Sequence, residues 1–140
     1  ERYTEGKSNY EFALNFNHNS TLNLNNFAYR LAMAKIDLNR AEELIAKAND
    51  ISPNQPHFLD TYGWILFQKE EYSKSKEFFE KAFALNPNDA IIVEHLGDVN
   101  YKLGKNNIAV DFWEKALKMG SENLNLNEKI KNKEYYEPKY

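Results

Sequence analysis

The sequence predicts an all-α fold of stacked helical hairpins, an α-solenoid, because a unit of 34 residues recurs along the chain. Shifting residues 56–89 forward by 34 positions aligns them with residues 90–123. The aligned residues are Tyr62-Gly63 with Leu96-Gly97, Phe79 with Trp113, and Glu80-Lys81-Ala82 with Glu114-Lys115-Ala116. Each half of the unit spaces its apolar residues by three or four, as an amphipathic helix does. Self-similarity at such a period is typical of helical repeat arrays.

Residues 1–20 match the second half of a repeat. Five residues at helical spacing align with the second half of the next unit after a shift of 35 positions: Tyr3, Gly6, Tyr10, Ala13 and Phe16 align with Leu38, Ala41, Ile45, Ala48 and Ile51. We therefore interpret residues 1–20 as the second helix of a truncated repeat, and we expect the chain to be a fragment of a longer protein.

Three full repeats follow, at residues 21–55, 56–89 and 90–123, within a single domain of residues 1–134. The first repeat has one residue more than the others, and a turn between Ala28 and Leu38 would absorb it most easily. Pro53 and Pro87 end the first two repeats, because proline cannot donate a hydrogen bond to a preceding helix. We expect Gly104 to have a positive φ at the C-terminus of a helix.

Small residues recur where the two helices of each repeat should meet. Gly63 and Gly97 occupy the same position in two repeats. Glycine within a helix costs about 0.5–1 kcal/mol relative to alanine, so its recurrence indicates a close approach between helices. The expected small–large contacts are Ala28 with Ile45, Gly63 with Phe79, and Gly97 with Trp113.

The end of the chain predicts a capping helix at residues 124–134 and a tail at residues 135–140. Leu124, Leu126 and Ile130 stand among many charged residues, and a repeat array needs a polar outer face at its end. For Tyr135 and Tyr136 two interpretations are open: they fold back on the array, or they dock elsewhere.

Composition excludes several classes of function. The 140 residues are 42% hydrophobic and 28% charged, which is typical of a folded globular domain. A net charge of −3 lacks the basic field that nucleic acid or an anionic membrane requires, so we expect neither nucleic-acid binding nor membrane insertion. The absence of cysteine excludes disulfides, thiolate metal sites and thiol catalysis.

These residues resemble the tetratricopeptide repeat family, whose unit has an aromatic residue, a Leu-Gly pair, a tyrosine, then alanine, an aromatic residue, alanine and proline at fixed spacing. The middle repeat carries this pattern as Leu59, Tyr62-Gly63, Leu66, Ser75, Phe79, Ala82 and Pro87. The run from Glu94 to Gly104, EHLGDVNYKLG, is similar to the C-terminal repeats of bacterial members. The resemblance implies tetratricopeptide-type hairpins stacked into a right-handed superhelix.

The resemblance also implies a concave groove, lined by the first helix of each repeat, that binds a peptide or a helix of a partner. Carried over residue by residue, the groove should present Asn25, Tyr29, Met33, His57, Asp60, Trp64, Phe67, Glu94, Asp98, Tyr101 and Lys102. This set is aromatic and acidic. The family's carboxylate clamp uses Lys, Arg and Asn on this face, so binding of a free acidic C-terminus is disfavoured here.

Alternatives remain for the groove. Aromatic rings such as Trp64 would either project into it, as we expect, or be buried by neighbouring second helices. The carboxylates of Asp60, Glu94 and Asp98 would either select a basic segment or be ordinary surface acids. His57 with Asp60, and His95 with Glu94 and Asp98, share helical faces, but without cysteine or a third clustered histidine we predict no metal site.

We predict a protein–protein interaction scaffold that binds a basic or apolar segment of a partner protein within a larger assembly. The alternative is a structural module that self-associates through its terminal helices, without a peptide ligand. We found no nucleophile with a base, no glycine-rich phosphate loop and no paired catalytic carboxylates, so we predict neither an enzyme nor a cofactor. The resemblance slightly favours the periplasmic side of a bacterial cell envelope, as a lipoprotein, over the cytoplasm.

Overall fold

The computed structural model describes residues 20–140, in which all regular structure is α-helical. The helices are α1 (Thr21–Ala34), α2 (Leu38–Ile51), α3 (Pro56–Gln68), α4 (Tyr72–Leu85), α5 (Ala90–Lys102), α6 (Asn106–Lys118) and α7 (Leu126–Asn132). The helix expected in residues 1–20 lies outside this part of the chain.

The helices form three hairpins that stack in sequence order. Helix α1 packs on α2, α3 on α4, and α5 on α6, and each hairpin contacts the next one through α2 with α3 and α4 with α5. The first helices also contact one another, α1 with α3 and α3 with α5, so they form one face of the stack. Helix α7 packs on α6 and covers the last hairpin. This architecture is the predicted all-α repeat solenoid.

The three hairpin turns share one backbone geometry. The residue with positive φ is Lys35 in the first turn, Glu70 in the second and Gly104 in the third. In each turn the next N–H donates to the carbonyl five residues back: Ile36 to Leu31, Glu71 to Leu66, and Lys105 to Asn100, at 2.9–3.0 Å. The first turn then contains Asp37, also at positive φ, which is the additional residue of that repeat. The turn therefore absorbs the insertion, and the hairpin packing is retained.

Complementary side-chain size holds each hairpin together. A Cβ atom on Gly63 would lie 2.6 Å from the Phe79 ring, and one on Gly97 would overlap the Trp113 indole. Phe79 and Trp113 are both fully buried. The small–large contacts predicted from the repeat are confirmed for these two hairpins, and glycine is required there because the opposing ring fills the space of any side chain.

Candidate binding groove

The first helices enclose a groove along their shared face. Its cavity measures about 490 Å³, which is within the range of ligand pockets. The walls come from α1, α3 and α5, and the C-terminal residues of the chain close one side. The lining residues are Asn25, Asn26, Tyr29, Met33, His57, Asp60, Thr61, Trp64, Ile91, His95, Glu122, Pro138 and Tyr140.

The structure brings part of the predicted site together in this cavity. Six predicted residues line it: Asn25, Tyr29, Met33, His57, Asp60 and Trp64. The other five predicted residues do not line it: Phe67, Glu94, Asp98, Tyr101 and Lys102. Sequence analysis did not assign His95 to the groove, although its position in the third repeat corresponds to that of Thr61 in the second.

Trp64 lines the cavity, but it is not exposed in the groove as expected. The residue is only 2% exposed. Its indole stacks on Phe67 at 5.2 Å and on His95 at 4.6 Å between ring centroids. Trp64 and Phe67 are therefore buried, as in the alternative interpretation, although the His95 ring stacked on the indole belongs to the first helix α5 and not to a second helix. Tyr29, at 42% exposure, is an aromatic residue that remains accessible in the groove.

His95 forms a buried ion pair on the groove wall. Its Nδ1 donates to the Asp60 Oδ1 at 2.9 Å, which joins α5 to α3. Burial opposes the charge on the imidazole, but the Asp60 carboxylate, together with Asp98 and Glu94, raises the pKa of His95 above its ordinary value. Because His95 Nδ1 already occupies Asp60 Oδ1, that carboxylate cannot serve as an acidic contact without competing with the imidazole.

Glu94 and Asp98 do not present their carboxylates to the groove as expected. Both are buried, and α7 supplies a cation, Lys129, that is itself 0% exposed. Lys129 Nζ lies 2.7 Å from Asp98 Oδ1 and 3.4 Å from Glu94 Oε2. Burial raises the pKa of Asp98, although Lys129 opposes the shift. Buried charges require partners of this kind, so these two acids serve the attachment of the capping helix.

Hydrogen bonds complete this buried network. Trp113 Nε1 donates to Asp98 Oδ1 at 2.9 Å, while Glu94 accepts from Asn123 Nδ2 at 2.7 Å and from Ser121 Oγ at 2.8 Å. The segment between α6 and α7 is thereby fixed to α5. Sequence analysis missed Lys129 because a lysine on a short, charged helix normally indicates a solvated face. Its position three residues after the buried Leu126 was the available signal.

The C-terminal segment, residues 134–140, folds back on the array, which was one of the two interpretations left open. Tyr135 packs edge-on against Phe67, with ring centroids 5.5 Å apart. Lys102 Nζ lies 4.8 Å from the centre of the Tyr135 ring, and Lys129 Nζ lies 5.4 Å from it. Lys102 therefore contacts the C-terminal segment. Tyr101 contributes instead to the core around Trp113, at 5.9 Å.

Two buried polar atoms of cavity-lining residues have no hydrogen-bond partner in the described part of the chain: the donor Trp64 Nε1 and the acceptor Asn25 Oδ1. Unpaired buried polar groups are uncommon and call for an explanation. Both atoms are closed off from the cavity surface, so a bound segment would reach them only if the covering side chains moved.

Other kinds of site find no support in residues 20–140. Among them, no group of three or more His, Asp or Glu side chains is arranged to hold a metal ion. In the same residues, no helix combines the length and the apolar character needed to cross a membrane.

Comparison with known proteins agrees with this architecture. The family model for the tetratricopeptide repeat matches residues 56–89. No curated protein matches the sequence. Among solved structures, the first tetratricopeptide domain of Spaghetti (RPAP3), bound to the HSP90 peptide SRMEEVD, is similar with a TM-score of 0.72 at 17% identity. That match covers 81% of this chain and 89% of the other.

Two further solved structures with this architecture also match. MamA is similar with a TM-score of 0.76 at 19% identity, over 94% of this chain and 76% of the other. The tetratricopeptide protein TTC0263 of Thermus thermophilus has a TM-score of 0.76 at 17% identity, over 91% and 70% of the two chains. Residues 56–89 therefore match the tetratricopeptide repeat, and the described chain has the fold of tetratricopeptide repeat proteins.

Proposed function

We propose that this chain is a protein–protein interaction scaffold that holds an extended segment of a partner protein in the groove between its first helices, as part of a larger assembly. One observation carries the proposal: Pro138 and Tyr140 of the chain's own C-terminal segment, which has no helix or strand structure, already line this groove. Lys139 O accepts from Leu124 N at 2.6 Å, and Lys139 N donates to Asn123 Oδ1 at 2.9 Å. The surface around the groove is therefore suited to a polypeptide backbone.

The groove also offers anchoring area for a partner's side chains. Tyr29 is 42% exposed and Met33 is 44% exposed, one helical turn apart on α1. An aromatic ring beside a flexible thioether is a combination that interfaces favour.

The charge of the walls indicates which segments the groove accepts. The lining includes the exposed Glu122 and also Asp60, whose carboxylate is already paired with His95, and it includes neither lysine nor arginine. The relative bound to SRMEEVD holds an acidic peptide, and in this chain such a peptide would meet carboxylates of its own sign. We propose an apolar or basic segment as the partner, because like charges across an interface disfavour binding.

Selection of peptides tests this function. A random peptide library is selected on the immobilised chain, and the affinities of the selected peptides are measured by fluorescence polarisation. We expect the double substitution Tyr29→Ala, Met33→Ala to weaken binding about tenfold or more, since loss of central anchors typically has effects of this size. Leu117→Ala is the matched control, because Leu117 has a comparable exposure of 41% but lies on α6, outside the groove.

The outcomes are distinct. Equal binding by the groove variant and the Leu117 control would contradict the proposed site. If no peptide is selected and the chain sediments as a dimer at high concentration, self-association through the terminal helices would replace the groove as the function.

A further inference from the structure

We propose that residues 134–140, EYYEPKY, are an internal ligand of the groove, and that the partner is a segment of the same chemistry: extended, with a tyrosine anchor and a following proline. This inference rests on the proposed function. It specifies the class of partner segment that binds the groove and the segment of this chain that competes with it. A partner of this kind would bind by displacing the chain's own C-terminal segment.

The segment is held largely through its backbone. Besides the two hydrogen bonds of Lys139 with Leu124 and Asn123, Asn125 Nδ2 donates to Glu137 O at 2.6 Å. The residues that provide these contacts all lie between α6 and α7. Backbone pairing of this kind accepts any extended segment, and side-chain pockets then provide specificity.

Side chains of the segment supply that specificity. Tyr135 is partly buried, and its ring contacts Phe67 while Lys102 and Lys129 approach its face. Two ammonium groups at about 5 Å favour an electron-rich aromatic ring over an aliphatic side chain of similar size. Pro138 and Tyr140 line the cavity itself, whereas Glu134 and Glu137 do not, so an apolar or basic segment can share this pattern. A tyrosine followed by a proline is therefore the pattern that a competing segment should share.

The segment is held by contacts that a partner could replace. Its ion pair, Lys35 Nζ with Glu137 Oε1 at 2.8 Å, is exposed on both sides, and exposed pairs contribute little. Tyr140 is 60% exposed. Because the segment is tethered, it competes at the high effective concentration of an intramolecular ligand, so its release should strengthen binding of an added peptide.

The test uses an added copy of the segment as the probe. A fluorescein-labelled peptide EYYEPKY, amidated so that no terminal carboxylate contributes, is titrated with the full chain and its variants. We expect Tyr135→Ala to release the internal segment and to increase the affinity for the probe at least tenfold. Tyr136→Ala is the matched control, because the described contacts of the Tyr136 hydroxyl are with Asn132 and Glu134. The Tyr136→Ala variant should bind the probe with the same affinity as the unmodified chain.

A cross-linked variant tests the same inference without removing a buried ring. The chain has no cysteine, so Leu124→Cys, Lys139→Cys can be joined by a short bismaleimide, which locks the segment in place. We expect the locked form to lose binding of the probe and the unlinked form of the same variant to retain it. Equal binding by locked and unlinked forms, or by the Tyr135 and Tyr136 variants, would overturn the inference.

A peptide selected from the library serves as the second probe and separates the two proposals. If this peptide binds the groove while locking makes no difference, or while EYYEPKY fails to bind the released chain, the internal-ligand inference is wrong and the proposed function stands. If neither peptide binds any form of the chain, the proposed function itself is wrong.

Discussion

Replacement of Lys129 should destabilise the chain more than a lysine on a short terminal helix would suggest. Lys129→Met keeps most of the side-chain volume but leaves Asp98 and Glu94 buried without their cation, which lies 2.7 and 3.4 Å from their carboxylates. Removing one partner of a buried pair typically costs about 3–5 kcal/mol. We expect a loss of this size, because Asn123, Ser121 and Trp113 still donate to these carboxylates but carry no charge.

The assay is urea unfolding followed by circular dichroism, with Lys131→Met as the control on the same helix. Lys131 is exposed, so its replacement should change stability by less than about 0.5 kcal/mol. Adding Glu94→Gln and Asp98→Asn to Lys129→Met should recover much of the loss, since no buried charge then remains unpaired. If Lys129→Met and Lys131→Met unfold within about 1 kcal/mol of each other, the buried network does not stabilise the cap as described.

Two further predictions concern the hairpin core and the histidine of the groove. Gly63→Ala should cost about 1–3 kcal/mol in a thermal melt, because its Cβ would lie 2.6 Å from the Phe79 ring; a change no larger than that of Ala84→Gly would contradict the close packing. The raised pKa of His95 predicts a stabilising contribution that is fully present below the ordinary histidine value of about 6.5 and is lost as pH rises through the folded-state pKa. The stability difference between the unmodified chain and His95→Gln should therefore shrink from pH 5.5 to pH 8.5 in urea unfolding, and a constant difference would refute the ion pair with Asp60.

The repeat made the fold predictable because each residue class recurs at a position with one structural role. Gly63 and Gly97 align with each other, as do Phe79 and Trp113. The same close contact between helices was therefore expected in both hairpins. The turn that holds Asp37 was predictable for the same reason, since only a turn accepts an insertion without rotating a packed helix.

The details of the groove were less predictable, because they depend on contacts between helices that the repeat spacing does not define. Whether Trp64 faces solvent or His95 depends on the rotation of α3 against α5, which the spacing within one helix does not define. Lys129 and Tyr135 lie outside the repeats, in the last 17 residues after position 123, so no second copy of their environment exists in the sequence. The charged residues of this short helix indicated a solvent-exposed surface. Only the buried carboxylates of α5 explain why the Lys129 side chain is buried.

The most direct test of the account is an NMR measurement of the contact between Tyr135 and Phe67. Their ring centroids are 5.5 Å apart, so ring protons of the two residues should give a nuclear Overhauser effect in the free chain. We predict that this effect disappears when a groove-binding peptide is added to saturation, while the effect between Trp64 and His95 persists. If the Tyr135–Phe67 contact is absent from the free chain, or survives with the peptide bound, the groove is not shared between the C-terminal segment and a partner.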